Sequence, residues 1–162
     1  LRSRPYLADG DRLMVTIADA PAAPAVLLID DEGCIRACVS RILERAGYRV
    51  TTAASGGEGL ERVRTESFAA VICDLRMPGL SGIALFDQIQ SAAPSLTGRI
   101  LVASGDLSQL ETTVFLERTG APALLKPYAS SDLIGALDRI CAVPAPALGR
   151  ERLDASWTRA AS

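Results

Sequence analysis

Three acids, a hydroxyl and an ammonium recur at the same kind of place along this chain. The apolar run Ala25-Val-Leu-Leu-Ile29 ends in Asp30, with Asp31 and Glu32 behind it. Phe68-Ala-Ala-Val-Ile-Cys73 ends in Asp74, Arg99-Ile-Leu-Val-Ala103 in Ser104, and Pro122-Ala-Leu-Leu125 in Lys126. Carboxylates gathered at one place repel each other unless a cation is present or protons are taken up. A donor set of oxygens, without histidine or clustered thiolates, suits a hard cation, Mg²⁺ before Zn²⁺. An ammonium and a hydroxyl beside such a set describe a pocket for phosphoryl transfer, where cations hold charge on the equatorial phosphoryl oxygens. Each group also has an ordinary reading. A strand-end Asp is commonly a helix cap or turn former. Asp30-Asp31-Glu32 can be a solvated helix start, and Met77-Pro-Gly79 a plain turn. Four such groups on one edge favour the pocket.

That edge exists only if the apolar runs are neighbouring strands. Between them lie segments of helical spacing. Ile35, Cys38, Val39, Ile42, Leu43 and Ala46 recur on a helical period, with Gly47 placed to end the helix. Tyr48–Thr52 reads as a second strand and Ser55–Glu66 as a helix diluted by glycines. Phe68–Asp74 is a third strand and Ile83–Ala92 a third helix. Arg99–Ser104 is a fourth strand, followed by a helix over Leu107–Arg118 that Gly120 closes. Pro122–Lys126 and Asp132–Cys141 complete five βα units. The expected fold is α/β, a doubly wound five-stranded parallel sheet with helices on both faces. Right-handed crossovers leave few topologies, and ligands bind beyond the carboxyl ends of the strands.

The 162 residues are 49% hydrophobic, enough to bury a core. A net charge of −2 and the lack of any Lys/Arg run give no field for nucleic acid or anionic membrane. Histidine is absent, which excludes a Ser-His-Asp triad, a Cys-His pair and a histidine zinc ligand. Any phosphohistidine must come from another protein or another part of this one. Cys34, Cys38, Cys73 and Cys141 show no C-x-x-C knuckle. They read as small buried hydrophobes in a reducing compartment, with Cys34 and Cys38 on one helix face. No apolar run approaches the roughly 20 residues of a membrane span, and no signal peptide is visible, so a cytoplasmic location is expected. Pro21-Ala-Ala-Pro24 and Val143-Pro-Ala-Pro-Ala-Leu148 look like linkers. They divide the chain into a leader or linker over 1–24, a domain over 25–142 and a flexible tail over 143–162.

Residues 25–142 resemble the receiver domain of two-component signalling, a flavodoxin-like fold of strand order 2-1-3-4-5. The resemblance rests on Val26-Leu-Leu-Ile-Asp-Asp-Glu32, on Val71-Ile-Cys-Asp-Leu-Arg-Met-Pro-Gly-Leu-Ser-Gly82 with its D-x-x-M-P-x-x-x-G pattern, on Ile100–Ser104 and on Leu125-Lys-Pro127. It implies that Asp74 accepts a phosphoryl group from a histidine kinase or a histidine phosphotransfer protein. It implies that Asp31 holds Mg²⁺ directly and Asp30 largely through water, with Asp74 and the backbone carbonyl of Arg76 as further ligands. Ser104 and Lys126 would each bind a phosphoryl oxygen, and the Lys126–Pro127 bond would be cis. Such a domain catalyses only its own phosphorylation and slow dephosphorylation. The aromatic residue that the family often carries three positions before the lysine is Ala123 here. Tyr128 stands where a Phe is common and does not replace that switch. Readout is therefore expected in the loop Ser104–Leu107 and the start of the next helix. Arg76 and Asp106 should flank the mouth of the site, either as an ion pair that hinders hydrolytic water or as two solvated charges.

The domain stands alone or forms the C-terminal part of a hybrid histidine kinase. The alternating Leu13, Val15 and Ile17 before the Pro/Ala linker resemble the last strand of a kinase ATP-binding domain. A leader unrelated to any kinase fits those residues equally. An alternative from another class is a Mg²⁺-dependent aspartate-nucleophile phosphatase of the haloacid-dehalogenase type. That family needs D-x-D-x-[TV], and Asp30-Asp-Glu-Gly-Cys34 lacks the second Asp and the Thr or Val. A pure interaction module on the same fold would have lost the acids or the lysine, and all are retained. Neither nucleic acid nor direct membrane contact is expected for this chain.

Overall fold

The apolar runs do pair as neighbouring strands. In a computed structural model, which describes residues 22–142, β1 (Ala25–Ile29), β2 (Arg49–Ala53), β3 (Ala70–Asp74), β4 (Ile100–Ser104) and β5 (Ala123–Leu125) form one parallel sheet in the order β2-β1-β3-β4-β5. The expectations for a leader and a tail lie outside the described residues, apart from positions 22–24, which are exposed.

The three central strands are buried at every position, as parallel strands covered on both faces must be. Edge strands β2 and β5 keep partly exposed residues. Alternate side chains feed two cores. Leu27, Ile29, Val71, Cys73, Ile100 and Val102 face α2 (Gly56–Thr65), α3 (Gly82–Ala92) and α4 (Leu110–Thr119). Val26, Leu28, Ala70, Ile72 and Leu101 face α1 (Gly33–Arg45) and α5 (Ser130–Ala142). Within the helices the buried stripes follow a period near 3.6. Val39 and Leu43 are buried on α1, and Leu133, Ala136, Leu137 and Ile140 on α5. Phe86 of α3 meets Phe115 of α4 edge to face, with ring centroids 5.0 Å apart.

Local chemistry sets the helix ends. Ser55 and Ser81 cap α2 and α3 by accepting hydrogen bonds from the N–H groups of Glu58 and Ala84. Gly47 and Gly120 follow α1 and α4 with φ of +93° and +63°, the left-handed conformation that glycine adopts without a Cβ clash. Some boundaries differ from those expected. Helix α4 begins at Leu110 rather than Leu107, because the Asp106 carboxylate accepts bonds from the backbone N–H and hydroxyl of Ser108 and holds that stretch as a turn. Helix α5 begins two residues early, at Ser130, with the Asp132 carboxylate accepting from Ala129 N–H. Strand β2 starts one residue late. Tyr48 instead buries its ring against the α1/α5 core, and its hydroxyl donates to Asp138 of α5.

The cysteines divide, against expectation. Cys73 is buried and Cys141 half-buried, but Cys34 and Cys38 are exposed. Val39, rather than its neighbour Cys38, points into the core, and that phase turns the cysteine face of α1 to solvent.

Candidate functional site

Parallel register brings the polar strand ends to one edge. Ile29 pairs with Cys73, Asp74 with Ala103 and Ser104 with Leu125, so Asp30, Asp74, Ser104 and Lys126 all fall at the carboxyl ends of adjacent strands. Carboxylate oxygens of Asp30, Asp31 and Asp74 lie within 4.8 Å of one another. Asp30 and Asp74 are 2% and 6% exposed, whereas Asp31 faces solvent.

Lys126, the only lysine in the chain, spans the two buried acids. Its Nζ donates to Asp30 Oδ2 at 2.8 Å and to Asp74 Oδ2 at 2.6 Å. Burial pulls its pKa down, but the hydrogen bonds to both carboxylates and their charges outweigh that, and the net direction is up. The other oxygens of the two acids are held by the backbone. Asp30 Oδ1 accepts from Glu32 N–H at 2.8 Å, and Asp74 Oδ1 from Arg76 N–H at 2.9 Å. Asp31 makes no hydrogen bond among the described residues. One ammonium thus bridges two of the three clustered carboxylates, and the oxygen-only donor set suits a hard divalent cation. The residues present fit Mg²⁺.

Ser104 is fully buried, but its hydroxyl does not bond Asp74. It donates to the carbonyl of Asp106 at 3.0 Å and accepts from Asp106 N–H at 3.2 Å. The Arg76 and Asp106 side chains meet at 3.4 Å, as the ion-pair reading of that flank requires. The Lys126–Pro127 peptide is cis. Tyr128, beyond it, packs against the α1/α5 core, and burial raises its hydroxyl pKa.

Two supporting residues escaped sequence reasoning. Arg36 reaches back from α1 to donate to the carbonyl of Asp30 at 2.6 Å, steadying the strand end. Its signal was only a position one turn into the helix that follows the acids. Gly82 had a signal, as the last residue of the D-x-x-M-P-x-x-x-G pattern, but not a reason. A Cβ there would stand 2.5 Å from the carbonyl oxygen of Asp74 and 2.5 Å from Leu75 Cα. Only glycine lets the start of α3 approach the backbone that carries Asp74.

Comparison with known proteins agrees with this geometry. The profile described as "Response regulator receiver domain" matches residues 26–138. The chain is 35% identical over 114 residues to the C4-dicarboxylate transport transcriptional regulatory protein DctD of Rhizobium meliloti (strain 1021), covering 70% of this chain and 24% of DctD. It therefore spans about a quarter of the length of that relative. Among solved structures, Vibrio cholerae chemotaxis protein CheY4 superposes with a TM-score of 0.66 and 31% identity, over 74% of this chain and 99% of that one. A Burkholderia pseudomallei response regulator, solved with a phosphorylated aspartic acid and a calcium ion, gives a TM-score of 0.63 and 31% identity over 70% and 66% of the two chains. The alternative of a haloacid-dehalogenase-type phosphatase finds no support in these comparisons.

Proposed function

The chain belongs to the response regulator receiver domain family, a phosphoryl-accepting signalling domain, and from that premise we propose that Asp74 is its acceptor. The donor is a phosphohistidine on a histidine kinase or histidine phosphotransfer protein, since this chain has no histidine. An Asp74 carboxylate oxygen attacks phosphorus in line. The P–N bond breaks, its electron pair leaves with the donor imidazole, and an aspartyl phosphate remains. The observation that carries this reading is Lys126, shared between Asp30 and Asp74 at 2.8 and 2.6 Å. Its ammonium is already in contact with the acceptor and can follow the charge to a phosphoryl oxygen. Asp30, Asp31 and Asp74, with the backbone carbonyl of Arg76, would hold Mg²⁺, which when bound offsets charge on the phosphoryl oxygens. Hydrolysis of the acyl phosphate is slow and is the domain's only other reaction.

Ser104 links the chemistry to readout. Turning its hydroxyl toward a phosphoryl oxygen gives up both bonds to the Asp106 backbone and frees the turn ahead of α4. With Ala123 in place of an aromatic switch, the change a partner reads lies in residues 104–107 and the first turn of α4, where Leu110 is 80% exposed.

The domain stands alone or is part of a longer protein, and two longer settings can be tested. A hybrid histidine kinase is suggested by the alternation over residues 13–17. The relative DctD is named as a transcriptional regulator, and in such a setting DNA binding would lie outside residues 22–142. A cytoplasmic location fits either setting, and no helix among the described residues is long and apolar enough to cross a membrane.

The test is mass spectrometry of the chain treated with acetyl phosphate, or with beryllofluoride as a mimic, in Mg²⁺. One adduct should map to Asp74. An adduct that persists in Asp74→Asn, or forms at full rate in EDTA, would overturn the assignment.

A further inference from the structure

Two thiols four residues apart stand exposed on α1. Free cysteine is among the most buried residue types, and α1 seats itself in the core through Val39 and Leu43 without using Cys34 or Cys38. Both cysteines lie within the helix Gly33–Arg45, so their Cβ atoms are roughly 5–6 Å apart on one face. A disulfide needs a Cβ separation of roughly 3.5–4.5 Å, too short for the intact helix. Two thiolates at roughly 2.3 Å from a shared metal ion do span the gap. The other two cysteines are poor competitors. Cys73 is buried, its Sγ donates to the Asp74 carbonyl at 3.3 Å, and burial, with the charges of Asp74 and Asp30, pushes its thiol up to about 12. Cys141 is half-buried on α5, and burial raises its thiol as well.

We propose that Cys34 and Cys38 form a two-thiolate site on the outer face of α1 for a soft, thiophilic metal ion. Binding joins two S–H groups and one divalent ion into S–M–S and releases two protons to solvent. Water completes the coordination. The site is chemically distinct from the oxygen-only set at the strand ends, which selects a hard cation. It is also close to that set, since Cys34 lies three residues beyond Asp31 on the first turn of α1. The proposal thus gives the chain a hard-ion site at the strand ends and a soft-ion site on α1.

The test titrates the full chain with Cd²⁺ alone in Mg²⁺-free buffer and follows the ultraviolet thiolate-to-cadmium charge-transfer absorbance. The band should saturate at one equivalent. Cys34→Ser and Cys38→Ser should each weaken binding about tenfold or more, and the double variant should abolish the band at stoichiometric Cd²⁺. Cys141→Ser should leave band and affinity unchanged. A band that keeps its affinity in either single serine variant, or that fails to saturate at one equivalent, overturns the site. Both cysteines are exposed, so loss of fold does not confound the result, and far-ultraviolet circular dichroism checks it. None of these readouts depends on whether Asp74 accepts a phosphoryl group.

Discussion

Arg76 Nη2 lies 3.4 Å from Asp106 Oδ2, so the residues two beyond Asp74 and two beyond Ser104 reach each other across the open side of the strand-end edge. Both side chains are substantially exposed, and such a pair contributes little to stability. Hydrogen bonds from Ser108, and then the Arg76 charge, hold the Asp106 carboxyl below its usual range, so it is ionised near neutral pH. The proposed role for the pair is to obstruct water approaching Asp74. The decay of phospho-Asp74 should quicken in Arg76→Ala and in Asp106→Asn, a change that keeps an acceptor for Ser108. The double variant should gain little more, because loss of one partner already opens the mouth. Unchanged decay in all three would mean that the two charges are merely solvated.

Metal affinity should separate the two adjacent acids. Both oxygens of Asp30 are engaged, with Lys126 and with Glu32 N–H, whereas Asp31 is exposed and free to coordinate. Calorimetric titration should show a larger loss of Mg²⁺ affinity in Asp31→Ala than in Asp30→Asn. Stability should move the other way. Asp31→Ala should stay within about 0.5 kcal/mol of wild type, while Asp30→Ala, which strips a buried acceptor from two donors, should cost about 1–3 kcal/mol. Equal metal losses would contradict the ranking.

Two glycines should respond oppositely to alanine. At Gly82 the new Cβ meets backbone atoms of Asp74 and Leu75 at 2.5 Å, and backbone cannot swing aside. Urea denaturation of Gly82→Ala should show a loss of about 1–3 kcal/mol, with slower beryllofluoride uptake as Asp74 shifts. At Gly57, on α2, a Cβ meets nothing within 4 Å. Gly57→Ala should gain about 0.5–1 kcal/mol from reduced chain entropy. A neutral Gly82→Ala would show that α3 can retreat without cost.

Stability should fall in alkali. Burial, and then the hydrogen bond to Asp138, raise the Tyr48 hydroxyl pKa above its usual value of about 10. Lys126 is raised above its usual value of about 10.5. In this window the native state keeps protons that the unfolded chain releases, so stability is complete below pH about 10 and declines above it. Urea midpoints from neutral pH to about pH 11 should trace that decline. Tyr48→Phe should make it shallower while lowering neutral-pH stability by about 1 kcal/mol for the lost hydrogen bond. An equally steep decline in Tyr48→Phe would show that Tyr48 titrates normally.

The strand-end pattern is readable in the sequence because parallel strands buried on both faces are short and apolar throughout. Their first polar residue therefore marks the edge. Asp30, Asp74, Ser104 and Lys126 all follow that rule, and the observed order β2-β1-β3-β4-β5 brings them together. Helix ends that depend on one glycine, such as those before Gly47 and Gly120, were equally plain. The start of α4 was not, because residues 107–109 suit a helix and only the Asp106–Ser108 turn withholds them.

Residue type and spacing thus determined the fold class, the edge and the hard-cation character of the acids. Tertiary structure decided which acids the lysine meets. Lys126 lies 96 residues from Asp30 and 52 from Asp74, and a bond over such a separation depends on sheet order rather than on local preference. Ser104 is the reverse case, since its hydroxyl bonds the Asp106 backbone two residues on rather than Asp74 on the neighbouring strand. The exposure of Cys34 and Cys38 is the plainest case. Cys38 and Val39 differ by one step of a helix, about 100°, and either could have faced the sheet by polarity. The better fit of Val39 and Leu43 between β-strand side chains and α5 set the rotation of α1, a choice made by packing that a one-dimensional pattern does not contain.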